Sequence, residues 1–250
     1  MKKLMCFLSS AIAVVMLLGS SVGVAKAGPC ELPDFALAEF SDPLIINNPY
    51  WPLVPGTIFK YEPVPNEDDV VNTITVTSDT KEITVDNKTI ECRVVYDIEE
   101  VDGVLMEETY DWYAQDHAGN IWYCGEETVE YLYDDNGNFL GTSAEGSWEA
   151  GVDGALPGYL ILAEPRPGVC YQQEFYEDEA EDRAKVLRLN ADVTLEEGDS
   201  YQDCLVTKEW TQLDHGNIEH KYYAEGVGLV LIEELKEKSV RVELVEIMEP

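Results

Sequence analysis

Basic side chains are scarce in this sequence. Lys and Arg number 16 against 50 Asp and Glu in 250 residues, a formal net charge of −34. A field of that sign repels nucleic acid and anionic lipid surfaces, so neither is expected as a partner. Histidine is scarcer still: only His117, His215 and His220 occur, and no H-E-x-x-H pair supports zinc-protease chemistry. No C-x-x-C pair exists, which argues against thioredoxin-like exchange and zinc knuckles. The G-x-S-x-G nucleophile elbow and the G-x-G-x-x-G phosphate cradle are both missing. Long apolar runs are confined to one, from Leu4 to about Leu18. It is shorter than the roughly 20 residues a spanning helix needs, so no stable transmembrane segment is expected.

What is present begins with export. Lys2 and Lys3 precede the apolar run, and Ala25-Lys26-Ala27 supplies a small-x-small exit. Positive start, apolar middle and such an exit make a cleavable secretory signal over residues 1–27, with the mature chain in the periplasm or outside the cell. Cys30 lies just beyond, where a lipoprotein would carry its lipid. Pro29 occupies the place before it, where lipid attachment needs a small residue, so simple cleavage after Ala27 is favoured. The remaining 223 residues hold 13 basic and 50 acidic side chains. Such a charge suits solubility, and it tolerates cations or basic proteins as partners. Aromatics at 10% and hydrophobics at 45% argue against an acidic disordered chain.

Export permits disulfides, and five cysteines survive cleavage: Cys30, Cys92, Cys124, Cys170 and Cys204. An odd number leaves at least one outside any intrachain bond. Cys30 lies in an extended leading segment and is the expected odd one; the connectivity of the rest stays open.

Period-two alternation dominates the chain. Ile90, Cys92, Val94, Tyr96 and Ile98 share one face, while Glu91, Arg93, Asp97 and Glu99 face away with Val95 among them. This is a half-buried strand. Val104, Met106, Tyr110, Trp112 and Ala114 share a face on the next strand, with Glu108 the exception, and Asp102-Gly103 makes the tight turn between. Leu205–Thr211, Ile218–Ala224, Val227–Leu235 and Val240–Ile247 read as a second meander. The fold class is therefore mainly β, with antiparallel meanders in one or two curved sheets, a half-barrel in one version, and little helix. A short helix is expected only at residues 177–184. Residues 28–250 form one β-rich domain, or two subdomains joined by a crossover at residues 141–169, which hold six glycines and three prolines. The 18-residue spacing of Cys92 to Tyr110 and of Cys204 to Tyr222 fits a duplicated sheet and fits generic meander spacing equally.

Candidate sites are few. His220 lies mid-strand with Tyr222 on its own side and Glu219 on the other. A hydrolase would need an acid from another strand, Glu174 or Asp111; otherwise His220 is a hydrogen-bonded or surface histidine. Asp134, Asn136, Asn138 and Glu145 fit positions 1, 3, 5 and 12 of a calcium loop, although Phe139 stands where its glycine belongs. The same residues make an ordinary hairpin turn. No other cofactor is indicated. Trp112, Trp122, Tyr171 and Tyr222 are candidates to face an apolar ligand, or else to fill the core.

Four stretches carry a resemblance: Asn48-Pro49-Tyr50-Trp51-Pro52-Leu53-Val54-Pro55-Gly56, Asp111-Trp112-Tyr113-Ala114-Gln115-Asp116, Gly146-Ser147-Trp148-Glu149-Ala150-Gly151, and Tyr222 to Val230. Together they resemble a family of uncharacterised bacterial exported proteins over roughly residues 45–247. The closing segment is also similar to the last hairpins of periplasmic curved-sheet domains of the lipoprotein-carrier kind. These resemblances imply an exported β fold and point to no particular activity. The leading reading is a non-enzymatic binder of an apolar small molecule or a cation. A protein-interaction domain and a hydrolase built on His220 are the alternatives.

Overall fold

A computed structural model describes residues 30–235 and 240–250; the segment 1–27, expected from the sequence to be a secretory signal, lies outside them. Strands β1 (Ile46–Asn48) and β2 (Trp51–Leu53) form a separate hairpin. The first meander comprises β3 (Ile58–Val64), β4 (Val70–Val85), β5 (Lys88–Val101), β6 (Val104–Gln115) and β7 (Ile121–Tyr133). Three shorter strands, β8 (Phe139–Ser143), β9 (Trp148–Glu149) and β10 (Leu156–Ile161), all pair with β7. Next come β11 (Cys170–Gln172) and β12 (Glu174–Phe175). The second meander is β13 (Asp182–Thr194), β14 (Ser200–Thr211), β15 (Ile218–Ala224), β16 (Gly228–Glu234) and β17 (Val240–Met248).

All but the first hairpin belong to one antiparallel sheet. Its order is β11-β13-β14-β15-β16-β17-β3-β4-β5-β6-β7-β10-β12. The last strand of the second meander pairs with the first strand of the first, Leu244 opposite Tyr61. The two end strands, β11 and β12, are consecutive in the chain with only Gln173 between them. That corner stitches the ends together. Tyr171 Oη donates to Leu160 O of β10 at 3.2 Å, and Gln173 N donates to Asp182 O of β13 at 2.8 Å. The sheet is thereby nearly closed into a barrel.

Registers show which face points inward. Trp51, carried by the short hairpin, packs edge-on against Tyr113 of β6 at 5.9 to 6.2 Å together with Tyr223 of β15, strands on opposite walls. The hairpin thus plugs one end, and Phe59, Tyr61, Ile74, Val76 and Val95 complete an apolar layer there. Towards the other end the interior turns acidic. Asp97, Glu99, Asp111, Glu126, Glu209 and Glu234 are all buried. An eight-stranded barrel is just wide enough for side chains to fill. This wider circuit is spanned by Tyr, Trp, Glu and Lys instead. Glu209 is the hub, accepting from Tyr223 Oη at 2.9 Å, Thr207 Oγ1 at 2.6 Å and Lys221 Nζ at 3.0 Å.

This corrects the expected facing of β5. Asp97 (1% exposed) and Glu99 (5%) are inside, whereas Tyr96 and Ile98 are half-buried on the outer face. The strand has two burying faces, which period two does not rank. Ile90, Cys92 and Val94 are buried on the outer side because the leading segment and residues 148–155 lie over it. Lys88 Nζ donates to the carbonyls of Phe35, Ala36 and Ala38, and Lys81 Nζ pairs with Glu149 at 2.9 Å. Gly151 is pressed so close that a Cβ would meet Thr84 O at 2.0 Å. Its φ of +87° also suits glycine alone.

Three further expectations change. Residues 177–184 are not a helix: Tyr176 bridges Ala180, and β13 starts at Asp182. Ala180 is buried at 5% exposure, which ties this turn to the barrel wall. Residues 141–169 are no plain crossover, since β9 and β10 within them extend the sheet. Cys30 is bonded to Cys170, and Cys92, Cys124 and Cys204 are the buried free thiols. The leading segment is pinned there, with Gln172 N donating to Glu31 O at 3.0 Å.

Candidate functional site

The leading segment runs over one end of the barrel as a strap. It enters at the Cys30–Cys170 disulfide, makes a single 3-10 turn at Phe35–Leu37, and passes the β6–β7 turn before β1. Asp34 caps the 3-10 turn, accepting from Ala36 N at 3.0 Å. Phe35 and Phe40 anchor the strap on Trp122, with ring centres at 5.2 and 6.2 Å. Farther on, His117 N donates to Glu39 O at 2.6 Å, and Ser41 Oγ sits 3.1 Å from His117 Nδ1.

Between strap and barrel end lies a cleft of about 690 Å³. Its apolar lining includes Leu32, Leu37, Tyr159, Leu162, Val169 and Tyr171. Its carboxylates are Glu31, Asp34, Glu39 and Asp116, and no lysine or arginine is among the lining residues. Two of the apolar side chains are strikingly unburied for their type: Leu37 is 79% exposed and Val169 41%. Asp116 is fixed by the turn it closes. It accepts from Asn120 N at 2.9 Å, Asn120 Nδ2 at 2.8 Å and Trp122 Nε1 at 3.0 Å. Burial, with Asp116 nearby, pushes the Tyr159 hydroxyl above its usual pKa, so it stays a neutral donor.

The residues singled out in the sequence scatter around this geometry. Tyr171 lines the cleft, and Trp122 stands behind Tyr159 at 4.5 Å between ring centres. Trp112 lies elsewhere, on the outer face beneath residues 148–153, with Lys81 Nζ 4.5 Å from its ring centre. Tyr222 lies on the outer face of β15, where its hydroxyl donates to Glu233 at 2.6 Å. His220 shares that face. Burial lowers its pKa, and its charged neighbours are Glu233, Arg188 and Lys208. Asp111 and Glu174 instead point into the barrel, where Tyr123 Oη donates to Asp111 at 2.7 Å. The structure therefore does not bring His220 to either acid.

The hairpin β7–β8 uses Asp134 for itself. Its carboxylate accepts from Asn136 N and Asn138 N at 2.9 Å each and from Asn138 Nδ2 at 2.9 Å. The Asn138 side chain and then these backbone donors hold it below the usual carboxylate range. Glu145 N donates to Ser143 Oγ at the far end of β8. No group of three or more His, Cys, Asp or Glu side chains among the described residues is arranged to hold a metal.

The barrel interior was missed as a polar environment. Burial pushes Glu99 up to about 8, aided by Glu107 and Glu234. Burial also takes Asp111 up to about 7 against the pull of the Tyr123 and Tyr113 hydroxyls. Among the described residues Lys221 is the one buried lysine; burial would lower its pKa, but Glu209 and Glu219 raise it.

No family model matches this sequence, and no curated protein matches it. Two solved structures do. One is a protein described as exported, with a YmcC-like fold, from Bacteroides fragilis NCTC 9343, at 12% identity and a TM-score of 0.40, covering 80% of this chain and 99% of that one. The other is described as a lipoprotein from Parabacteroides distasonis ATCC 8503, at 10% identity and a TM-score of 0.41, covering 80% and 98%. Likenesses this distant carry neither ligand nor activity to this chain. Among the described residues, no helix is long and apolar enough to cross a membrane.

Proposed function

We propose that this chain is an exported binding protein that holds a cationic amphiphile, an apolar body with a positively charged head, in the cleft under the strap. One observation carries the reading: a cleft of about 690 Å³ combines exposed Leu37 and Val169 with four carboxylates, His117 and no lysine or arginine. Small-molecule sites are concave, mostly apolar and supplied with a few placed polar groups, at volumes of about 300–1,000 Å³. The aliphatic and aromatic lining would take the body of the ligand, at about 25 cal/mol for each Å² removed from water. Glu31, Asp34 and Glu39 at the rim would meet its head, and the acidic surface would draw it in.

Nothing in this reading requires bond breaking; His220 stands beside Glu233 on the outer face of β15, whereas Asp111 accepts from Tyr123 inside the barrel. The test is native mass spectrometry of the protein released from its own export compartment, beside Leu37→Asp and Glu39→Lys variants. Both positions are exposed, so both variants keep the fold. A co-purifying cationic lipid or amine on the parent chain, lost from both variants, is the expected result. A retained ligand that persists in both variants would place the binding site elsewhere.

A further inference from the structure

The outer face of β5 and β6 is covered at one end and bare at the other. Trp112 is 5% exposed beneath residues 148–153, whereas Tyr110, two residues back on the same face, is 39% exposed. Tyr96 of β5 lies opposite Tyr110, and the two rings stack with centres 4.6 Å apart. Beside them Glu108 is held between two hydroxyls: Oε2 accepts from Tyr96 at 2.7 Å, and Oε1 from Tyr131 of β7 at 2.6 Å. Tyr131 carries the ring surface on to Phe139 of β8, 6.3 Å away between centres and 56% exposed. Aromatic faces attract positive charge, and a fixed carboxylate pairs with it. The face therefore holds one half of a cation site.

The covered end of the same strands shows such a site complete. Lys81 Nζ lies 4.5 Å from the ring centre of Trp112 and 2.9 Å from Glu149. Tyr110 and Glu108 repeat the ring and the carboxylate, but their neighbours supply no base. Thr75 of β4 stands opposite Tyr96, and the 72 residues 94–165 hold 17 Asp and Glu and no Lys or Arg. We infer that Tyr96, Glu108, Tyr110, Tyr131 and Phe139 form a docking face for a basic segment of another protein, whose arginine stacks on Tyr110 and donates to Glu108 while an apolar neighbour rests on Phe139. Arginine suits the place better than lysine, because a flat guanidinium stacks on a ring and donates from a planar fork. A carboxylate offers about four acceptor positions, and the two hydroxyls use one on each oxygen, so both oxygens can take a further N–H. Exposed Glu127, opposite Tyr110, and exposed Asp135 at the β7–β8 turn continue the same sign around the face. A second copy of this chain would meet like charge there, as would nucleic acid.

The face shares no residue with the cleft under the strap, and the experiment separates the two. The mature chain is titrated with the end-blocked peptide Leu-Arg-Leu-Arg-Leu at near-physiological salt, which screens the general acidic field, and backbone amide shifts are followed by NMR. Leu-Lys-Leu-Lys-Leu and Leu-Glu-Leu-Glu-Leu are titrated beside it. The expected result is saturating shifts centred on residues 96–98, 106–110, 129–133 and 139–141, weaker binding of the lysine peptide and none of the glutamate peptide. Glu108→Gln and Tyr110→Leu should each raise the Kd by about tenfold, the worth of a charge-assisted contact and of a cation over a ring. Glu145→Gln, which removes the same charge beyond the end of β8, and Glu39→Lys in the cleft should leave the Kd within about twofold. Glu108→Gln keeps acceptors and shape, and Tyr110 is exposed; should one variant fail to fold, the other decides. Absence of saturable shifts on this face overturns the inference, as do shifts centred on the cleft, equal affinity for the lysine peptide, or a loss in Glu145→Gln as large as in Glu108→Gln.

Discussion

Lys221 Nζ lies 3.0 Å from Glu209 Oε2 with both side chains more than nine-tenths buried, an ion pair in the middle of an acid-lined barrel. Its worth depends on its setting. Breaking a buried pair from one side leaves an uncompensated charge, at a cost of about 3–5 kcal/mol. Lys221→Met should therefore lower unfolding stability by about 3 kcal/mol in urea denaturation at neutral pH. Thr207 and Tyr223 still hydrogen-bond Glu209 in the variant, which places the loss at the low end. A loss under about 1 kcal/mol would mean that Lys221 is not the counter-charge of this interior.

Glu219 gives the pH dependence its sign. Burial raises its carboxyl to about 7, with Glu209, Glu234 and Asp182 adding to the shift and Lys221 opposing it. The unfolded carboxyl titrates near its model value of 4.5. Between those values the folded chain holds a proton that the unfolded chain has released. The contribution is fully present below about pH 4.5 and is lost as pH rises through about 7, an effect on the order of 2–3 kcal/mol. Glu219→Gln should flatten that part of the stability profile, measured by urea midpoints from pH 4.5 to 8. An unchanged slope in the variant would remove Glu219 from the account.

The thiols are countable. With Cys30 bonded to Cys170 across 140 residues, the exported chain should show no alkylation of Cys92, Cys124 or Cys204 when native and three additions after denaturation without reductant. Burial pushes Cys204 up to about 11 and raises Cys92, with Cys124 beside it, so thiolate is scarce as well as hidden. Cys92 and Cys124 belong to β5 and β7, with β6 between them. Cys170→Ser should free the strap and cost about 2–5 kcal/mol, read as a lower melting temperature.

Much of the sheet was legible in the alternation. The strands from residue 204 onward fall where period two puts them, β15 to the residue, and Asp102-Gly103 turns with both φ values positive. His220 and Tyr222 do share a face, but alternation cannot say whether that face looks in or out, and it looks out. The same limit hid the acids of β5. Glu108, the misfit on its strand, turns out to sit on the outer face and to accept from the hydroxyls of Tyr96 at 2.7 Å and Tyr131 at 2.6 Å. The cleft was illegible for a different reason. It joins residues 31–39, 116–120 and 159–171, segments with no common pattern, and a disulfide whose partner no spacing identifies.

Trp51 should be the most sensitive aromatic. It alone of the five tryptophans touches both walls of the barrel, through Tyr113 and Tyr223. Trp51→Ala removes the plug and leaves a hole in the apolar layer, for an expected loss of about 3–5 kcal/mol in denaturant unfolding. A loss below about 1 kcal/mol would show that the hairpin only rests on the barrel end.

Isothermal titration of the mature chain with dodecyltrimethylammonium, kept below its micelle concentration, tests the cleft most directly. One molecule should bind saturably with a negative heat-capacity change, as apolar burial requires, while dodecyl sulfate of the same chain length should not bind. Absence of a saturable one-to-one event, or equal binding of the anionic and cationic chains, would contradict the assignment.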